Sequence, residues 1–153
     1  MLKIALADVD LLLPVNQLIE ILTVPIGQVV PIFHLPPWVP GVYNWRGEVL
    51  WMIDLSHLLG LTPWYQQSDY GANHTLVVLD RPESHQLRAE ERSPLGLIVK
   101  RADGMVTGDL ENLATASAAS NGTLDQAGEF IRGYLAGNTV PVLDGEAILA
   151  AMP

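Results

Sequence analysis

The sequence predicts an all-β fold made of two small barrels packed side by side, with only short helices. Three observations predict it. Short apolar runs alternate with Gly- and Pro-rich turns along the whole chain, the pattern of many short strands. The segment Gly47 to Asp54 aligns with Gly137 to Asp144 at an offset of 90 residues, and the apolar pair Leu58-Leu59 matches Ile148-Leu149 at the same offset. LLLPVNQLIEILT from Leu11 aligns with LGLIVKRADGMVT from Leu95 at an offset of 84, so the second copy carries 90 − 84 = 6 extra residues. The small-residue stretch LATASAASNGTLDQAG houses them as a loop. A duplicated unit of about 70 residues is too small to bury a generous core alone, so the two copies must pack together.

The elements follow in order. Leu2 to Ala7 and Thr75 to Asp80 read as first strands of the two copies; Leu11 to Val15 and Leu95 to Val99 read as second strands. The turn between the first pair is tight, at Ala7-Asp8-Val9-Asp10, and its counterpart DRPESHQLRAEERSP is a long polar loop expected to be solvated and mobile. NQLIEIL opens with helical character. In VPIGQVVPI, Pro25 and Pro31 impose extended or edge-strand geometry, and HLPPWVPG is a stiff connector. The hairpin GVYNWRGEVLWMID comes next. Asp54 suits the N-cap of a helix from Leu55 to Leu59 that Gly60 ends in a left-handed conformation, and Asp144 does the same for Glu146 to Ala151. The whole is one domain over residues 1–153, a first subdomain spanning about 15–72 and a second about 73–140, with the termini exchanged between barrels.

Composition narrows the function. The chain is 49% hydrophobic and 16% charged, so it is globular. A net charge of −9 with only two lysines excludes nucleic acid and anionic membrane as partners, because both demand a cationic footprint. The absence of cysteine removes disulfides, thiolate nucleophiles and thiolate-bound metals. No apolar run reaches the ~18 residues of a membrane helix, the N-terminus lacks a leader pattern, and the expectation is a soluble cytoplasmic chain with no membrane insertion. The sequons at Asn73 and Asn121 then carry no meaning.

No catalytic or cofactor set converges. His34, His57, His74 and His85 show no ligand spacing, and no phosphate-binding glycine pattern occurs. No cofactor and no metal are expected. Asp54-Leu55-Ser56-His57 holds the residue types of a hydrolase triad, but a helix cap already explains Asp54 and no nucleophile elbow accompanies it. A small β-barrel hydrolase or ligand-binding module using the Asp54/His57 region stays as the alternative to a binder. All four tryptophans fall between Trp38 and Trp64, and Val49 to Ile53 has no polar alternation. Both faces of that strand therefore need cover, one from its own barrel and one from the second barrel or a partner protein.

Gly41-Val42-Tyr43-Asn44-Trp45-Arg46-Gly47-Glu48-Val49, followed by Ile53-Asp54-Leu55, resembles the signature of the CheW family. Leu13-Pro14-Val15 with Leu18-Ile19-Glu20-Ile21-Leu22 is similar to that family's strand-to-helix segment, and Pro36 to Gly41 to its approach to the hairpin. Gly96 to Val99 and Phe130 to Gly133 match second-half landmarks, whereas Lys100-Arg101 stands where the family usually has Asp. Pro141 in the last strand and the short first hairpin are further departures.

The resemblance implies two five-stranded β-barrels and a non-enzymatic adaptor. Such adaptors couple the helical tips of methyl-accepting chemoreceptors to the regulatory domain of a CheA-type histidine kinase in a chemotaxis, phototaxis or type IV pilus motility pathway, recruited to membrane receptor arrays. It also implies receptor- or kinase-binding roles for Leu18, Glu20, Ile21, Leu22, Gly41, Asn44, Arg46, Gly47 and Val99. Leu18, Ile21, Leu22, Val99 and Ala102 are expected to line one apolar channel between barrels, and Glu20 to pair with Arg46 at its rim.

Overall fold

A computed structural model describes residues 1–7, 9–81, 88, 93–113, 125–135 and 140–152. Most of the polar loop after Asp80, including His85 and Glu90-Glu91-Arg92, lies outside the described residues, as do Asp8, the small-residue stretch, the Asn121 sequon and Gly137 to Thr139. Among these residues, ten strands form two five-stranded sheets, the number implied for each barrel. They are β1 (Leu2–Ala5), β2 (Asp10–Leu13), β3 (Leu18–Pro25), β4 (Gly41–Trp45), β5 (Glu48–Asp54), β6 (Asn73–Leu79), β7 (Leu95–Val99), β8 (Arg101–Met105), β9 (Ile131–Tyr134) and β10 (Pro141–Leu143). Among the described residues, two short helices, α1 (Leu55–Leu58) and α2 (Gly145–Ala150), follow β5 and β10.

One sheet runs β3-β6-β7-β5-β4 and the other β8-β1-β2-β10-β9. Read from β4 and from β9, both follow one plan: an antiparallel pair, a parallel pair, then two antiparallel pairs. The repeat survives in register. Met52 pairs with Gly96 and Val142 with Leu12; 142 − 52 = 90 and 96 − 12 = 84, the two sequence offsets. The partition of the chain differs from the expected subdomains, however. β6 and β7, which the sequence similarity groups with the second half, belong to the sheet of β3, β4 and β5. The reason is the parallel pairing of β5 with β7, which requires a long crossover and so draws the chain up to Val99 into one sheet. β1 and β2 complete the other sheet, so the N-terminal strands do pair with the C-terminal half.

Two apolar cores result. Val24, Trp45, Leu50, Met52, Leu76, Val78 and Ile98 come from all five strands of the β3–β7 sheet and meet in one cluster, so that sheet curls around its own contents. The alternate residues Ile53, Val77, Leu79, Leu97 and Val99 point the other way, against Ile4, Leu11, Leu13 and Leu143 of the second sheet and Leu55 and Ile148 of the helices. β6 and β7 are thus buried on both faces. β5 is covered unevenly: on its outward face Ile53 is buried, Trp51 half-buried and Val49 57% exposed.

Both helices begin as expected. The Asp54 carboxylate accepts the His57 N–H at 3.4 Å and the Asp144 carboxylate the Ala147 N–H at 3.1 Å. Gly60 follows α1 with φ +79°. Pro141 occupies the first position of β10, where the ladder needs no proline donor, and β10 is a paired central strand in spite of it. The helical start of NQLIEIL is a single 3-10 turn at Val15–Gln17, after which the segment is strand.

Candidate functional site

The hairpin tip and the first edge strand build the site together. Trp45 pairs with Glu48, leaving Arg46 and Gly47 as a two-residue turn with φ +53° and +79°. Two positive φ values in succession are the type I′ pattern, whose twist matches that of the flanking strands. Glycine adopts this readily; arginine does so at a cost. The Asn44 side chain closes the turn by accepting the Gly47 N–H at 3.1 Å.

β3 supplies the acceptor. Alternation sets Glu20 on the inner face with Leu22 and Val24, the register shift between Leu18 and Glu20 turns Leu18 to the core between the sheets, and Ile19 and Ile21 remain 45% and 44% exposed. The two Glu20 oxygens are shared by consecutive residues of the hairpin. The Trp45 indole N–H donates to Oε1 at 2.5 Å, and the Arg46 Nη2 donates to Oε2 at 2.8 Å. The Arg46 guanidinium also lies 5.1 Å from the centre of the Trp45 ring, within cation–π range. Trp45 is buried, whereas the Arg46 side chain is 65% exposed. One end of the cluster is therefore anchored in the core and the other is presented to solvent.

The structure places the expected Glu20–Arg46 pair, but it separates the five residues expected along one apolar channel. Strand alternation parts Ile21 from Leu22, and the register shift after Leu18 parts Leu18 from Leu22. Leu18, Val99 and Ala102 pack on the core between the sheets, with Val99 3% exposed. Leu22 faces the other core, inside the curled sheet. Ile21 shares the face of Val77 but lies beyond its cover. Gly41 is buried at the start of β4 with φ +155°, and a methyl group there would run into the Val30 carbonyl. Val30 and Val42 exchange backbone hydrogen bonds at 2.8 and 2.9 Å beside it.

Trp45 is the member of the site that the sequence reading missed. A buried indole needs an acceptor for its N–H, and Glu20 is the only acidic residue between Asp10 and Glu48. That signal was available. Lys100 is the single residue between β7 and β8; its Nζ pairs with Asp69 at 2.7 Å, holding that carboxyl below the usual range. Arg101 pairs with Asp103 at 2.9 Å.

The Asp54/His57 region is engaged structurally. Asp54 Oδ1 accepts the His57 N–H, and Oδ2 accepts the Trp64 N–H at 2.9 Å; burial nevertheless pushes its carboxyl pKa up. His57 Nδ1 is buried with no hydrogen-bond partner among the described residues. His74, Tyr70 and Trp64 stack nearby, with the Tyr70 hydroxyl on His74 Nδ1, and burial pushes the His74 pKa down to about 4. Among the described residues, no group of three His, Asp or Glu side chains could hold a metal, and no helix is long and apolar enough to cross a membrane.

Comparison with known proteins adds two findings. The family model described as CheW-like domain matches residues 1–152. The crystal structure of scaffolding protein TtCheW from Thermoanaerobacter tengcongensis superposes with a TM-score of 0.68 at 14% identity, over 94% of this chain and 86% of that one. At that identity the likeness concerns the fold. None of the curated proteins matches the sequence.

Proposed function

This chain belongs to the CheW-like family, and from that premise we propose that it is a non-enzymatic adaptor joining the helical tip of a methyl-accepting chemoreceptor to the regulatory domain of a CheA-type histidine kinase. The observation that carries the reading is the sharing of Glu20 between Trp45 and Arg46. A carboxylate held by a buried indole fixes an exposed guanidinium in direction, and only one of its five N–H donors is used in that bond. Exposed Ile19 and Ile21 flank the acceptor on β3. A fixed cation beside apolar surface suits an amphipathic helix that carries a carboxylate.

Within this reading the candidate residues divide by exposure. Asn44, Arg46 and Ile21 contact the partner. Gly41, Gly47, Leu18, Leu22 and Val99 shape and support the surface, and Glu20 orients Arg46. The adaptor works in the cytoplasm at receptor arrays of a chemotaxis, phototaxis or pilus-motility pathway. The hydrolase alternative is weakened because both Asp54 oxygens serve backbone N–H groups and His57 Nδ1 faces no hydrogen-bond partner among the described residues.

The test is a pair of titrations of the purified chain, one with the kinase regulatory domain and one with a receptor cytoplasmic fragment. Saturable binding of both is expected. Failure to bind either one overturns the adaptor role.

A further inference from the structure

The segment that leads from β3 through a loop into β4 is free of charge. Ile21 to Trp45, 25 residues, contain no Asp, Glu, Lys or Arg, and no other such run in the chain exceeds the 14 residues 55–68. In the loop, Phe33 is 90% exposed, the most exposed large apolar side chain among the described residues, and Val30 and Ile32 are exposed beside it. We propose that this loop is a self-docking surface, through which two copies of the chain pack across a twofold axis as a weak dimer.

The loop is held in one shape. Pro31, Pro36 and Pro37 fix φ along it. Val30 is tied to Val42 by two backbone hydrogen bonds at one end; at the other, the Trp38 carbonyl accepts the Asp54 N–H and the Pro36 carbonyl the Val39 N–H, both at 2.9 Å. Between these ties the chain turns at His34, left-handed with φ +66°, directly after Phe33. A ring presented on a loop already in its bound shape loses little freedom on docking. Apolar surface of this kind marks a contact site.

Charge selects the occupant. Each copy carries a net charge of −9, so most approaches of one copy to another are repulsive. Symmetry sharpens this, because an isologous contact sets every charge near the axis beside its own mate. A face without charges escapes that repulsion, and the run from Ile21 to Trp45 supplies one. A partner steered by charge finds nothing here to pair with. Area sets the strength: a single loop buries less than the ~800 Å² per partner of a standard interface, so the dimer is weak. The five residues of β4, roughly 16 Å of strand, separate the loop from the hairpin tip, and both Arg46 side chains stay free in the dimer.

The experiment is sedimentation equilibrium of the full chain from about 10 μM to 1 mM. The mean mass is expected to rise from 16.7 kDa and to level off at twice that value. Raising NaCl from about 0.05 to 0.5 M should strengthen the dimer by screening the repulsion between two acidic chains. Phe33→Ser should weaken it about tenfold or more, whereas Met105→Gln, at an exposed position on β8 of the other sheet, should leave it unchanged. A constant mass of 16.7 kDa overturns the proposal, as do masses that climb past the dimer, association weakened by salt, or equal association of wild type and Phe33→Ser. A chain that stays monomeric while Phe33→Ser weakens binding of the kinase regulatory domain also overturns it, and assigns the loop to that partner.

Discussion

Glu20 and Arg46 stand at opposite edges of one five-stranded sheet, 26 positions apart in sequence, and their side chains meet at 2.8 Å. Four strand spacings in a flat sheet would hold those edges roughly 19 Å apart. The contact exists because the sheet curls until its first and last strands face each other, with Trp45 filling the interior beneath. The ion pair and the curvature are one feature, so a guanidinium at the tip of a hairpin is held by the shape of the whole sheet.

Arg46→Gly separates recognition from stability. The substitution removes a partly exposed ion pair, which contributes about 0–1 kcal/mol, and relieves a non-glycine residue at φ +53° by a similar amount. Unfolding free energy should stay within about 1 kcal/mol of wild type, while affinity for the kinase domain or receptor fragment falls at least about tenfold. Denaturant melts and titrations on the same preparation check both. Unchanged affinity for both partners would remove Arg46 from the interface.

Trp45→Phe keeps most of the buried ring and deletes the N–H that engages Glu20 Oε1. A carboxylate oxygen that loses such a donor costs about 1–3 kcal/mol, which for a chain of this size lowers Tm by roughly 2–4 °C per kcal/mol. A variant as stable as wild type would show that the indole N–H does not hold Glu20.

Gly41→Ala is the severe substitution. The added methyl meets the Val30 carbonyl, and the backbone there has φ +155°. Overpacking and conformational strain together should cost about 3 kcal/mol or more, read as a shifted urea midpoint. Gly71→Ala, where the methyl enters open space, is the control and should move the midpoint little. Equal midpoints for the two variants would contradict the close approach of Val30 to β4.

His74 gives the fold a dependence on pH. Its pKa falls from the ordinary 6.5 to about 4 because burial disfavours the charged ring. The unfolded chain therefore takes up a proton before the folded one does. Stability from this group is complete above about pH 6.5 and is lost as pH falls toward 4, amounting to about 2 kcal/mol by pH 5. Asp54, whose pKa is raised by burial, works in the opposite sense, because the folded state holds its proton more tightly as pH falls. The readout is accordingly a difference: His74→Gln should flatten the loss of stability between pH 6.5 and 5. Parallel profiles for the two proteins would mean that His74 is not the responsible group.

Much of this was legible in the sequence, for definite reasons. The offsets of 90 and 84 reappear as equivalent pairings because duplicated strands keep their register where one face is buried. Both Asp caps were visible because capping is local chemistry. Assignment of strands to sheets was less accessible. β6 and β7 look like the start of a second copy, and only the long-range pairing of β5 with β7 reveals where they belong. The shared apolar channel failed for a similar reason: Ile21 and Leu22 are neighbours in sequence, so they cannot face the same way in an extended strand. The bulge that turns Leu18 away from Leu22 left no mark in the residue pattern.

The arrangement of the sheets also orders events during synthesis. β3 to β7 lie within residues 18–99 and find all their partners inside that stretch. β2 ends at Leu13, yet its parallel neighbour β10 is not made until Leu143, 143 − 13 = 130 residues later. At about 5–20 residues per second on the ribosome, one edge of β2, an apolar strand, stays unpaired for on the order of ten seconds. The curled sheet of β3–β7 is ready first. It can shelter Leu11 and Leu13 against Val77 and Leu97 while their own sheet is still being translated.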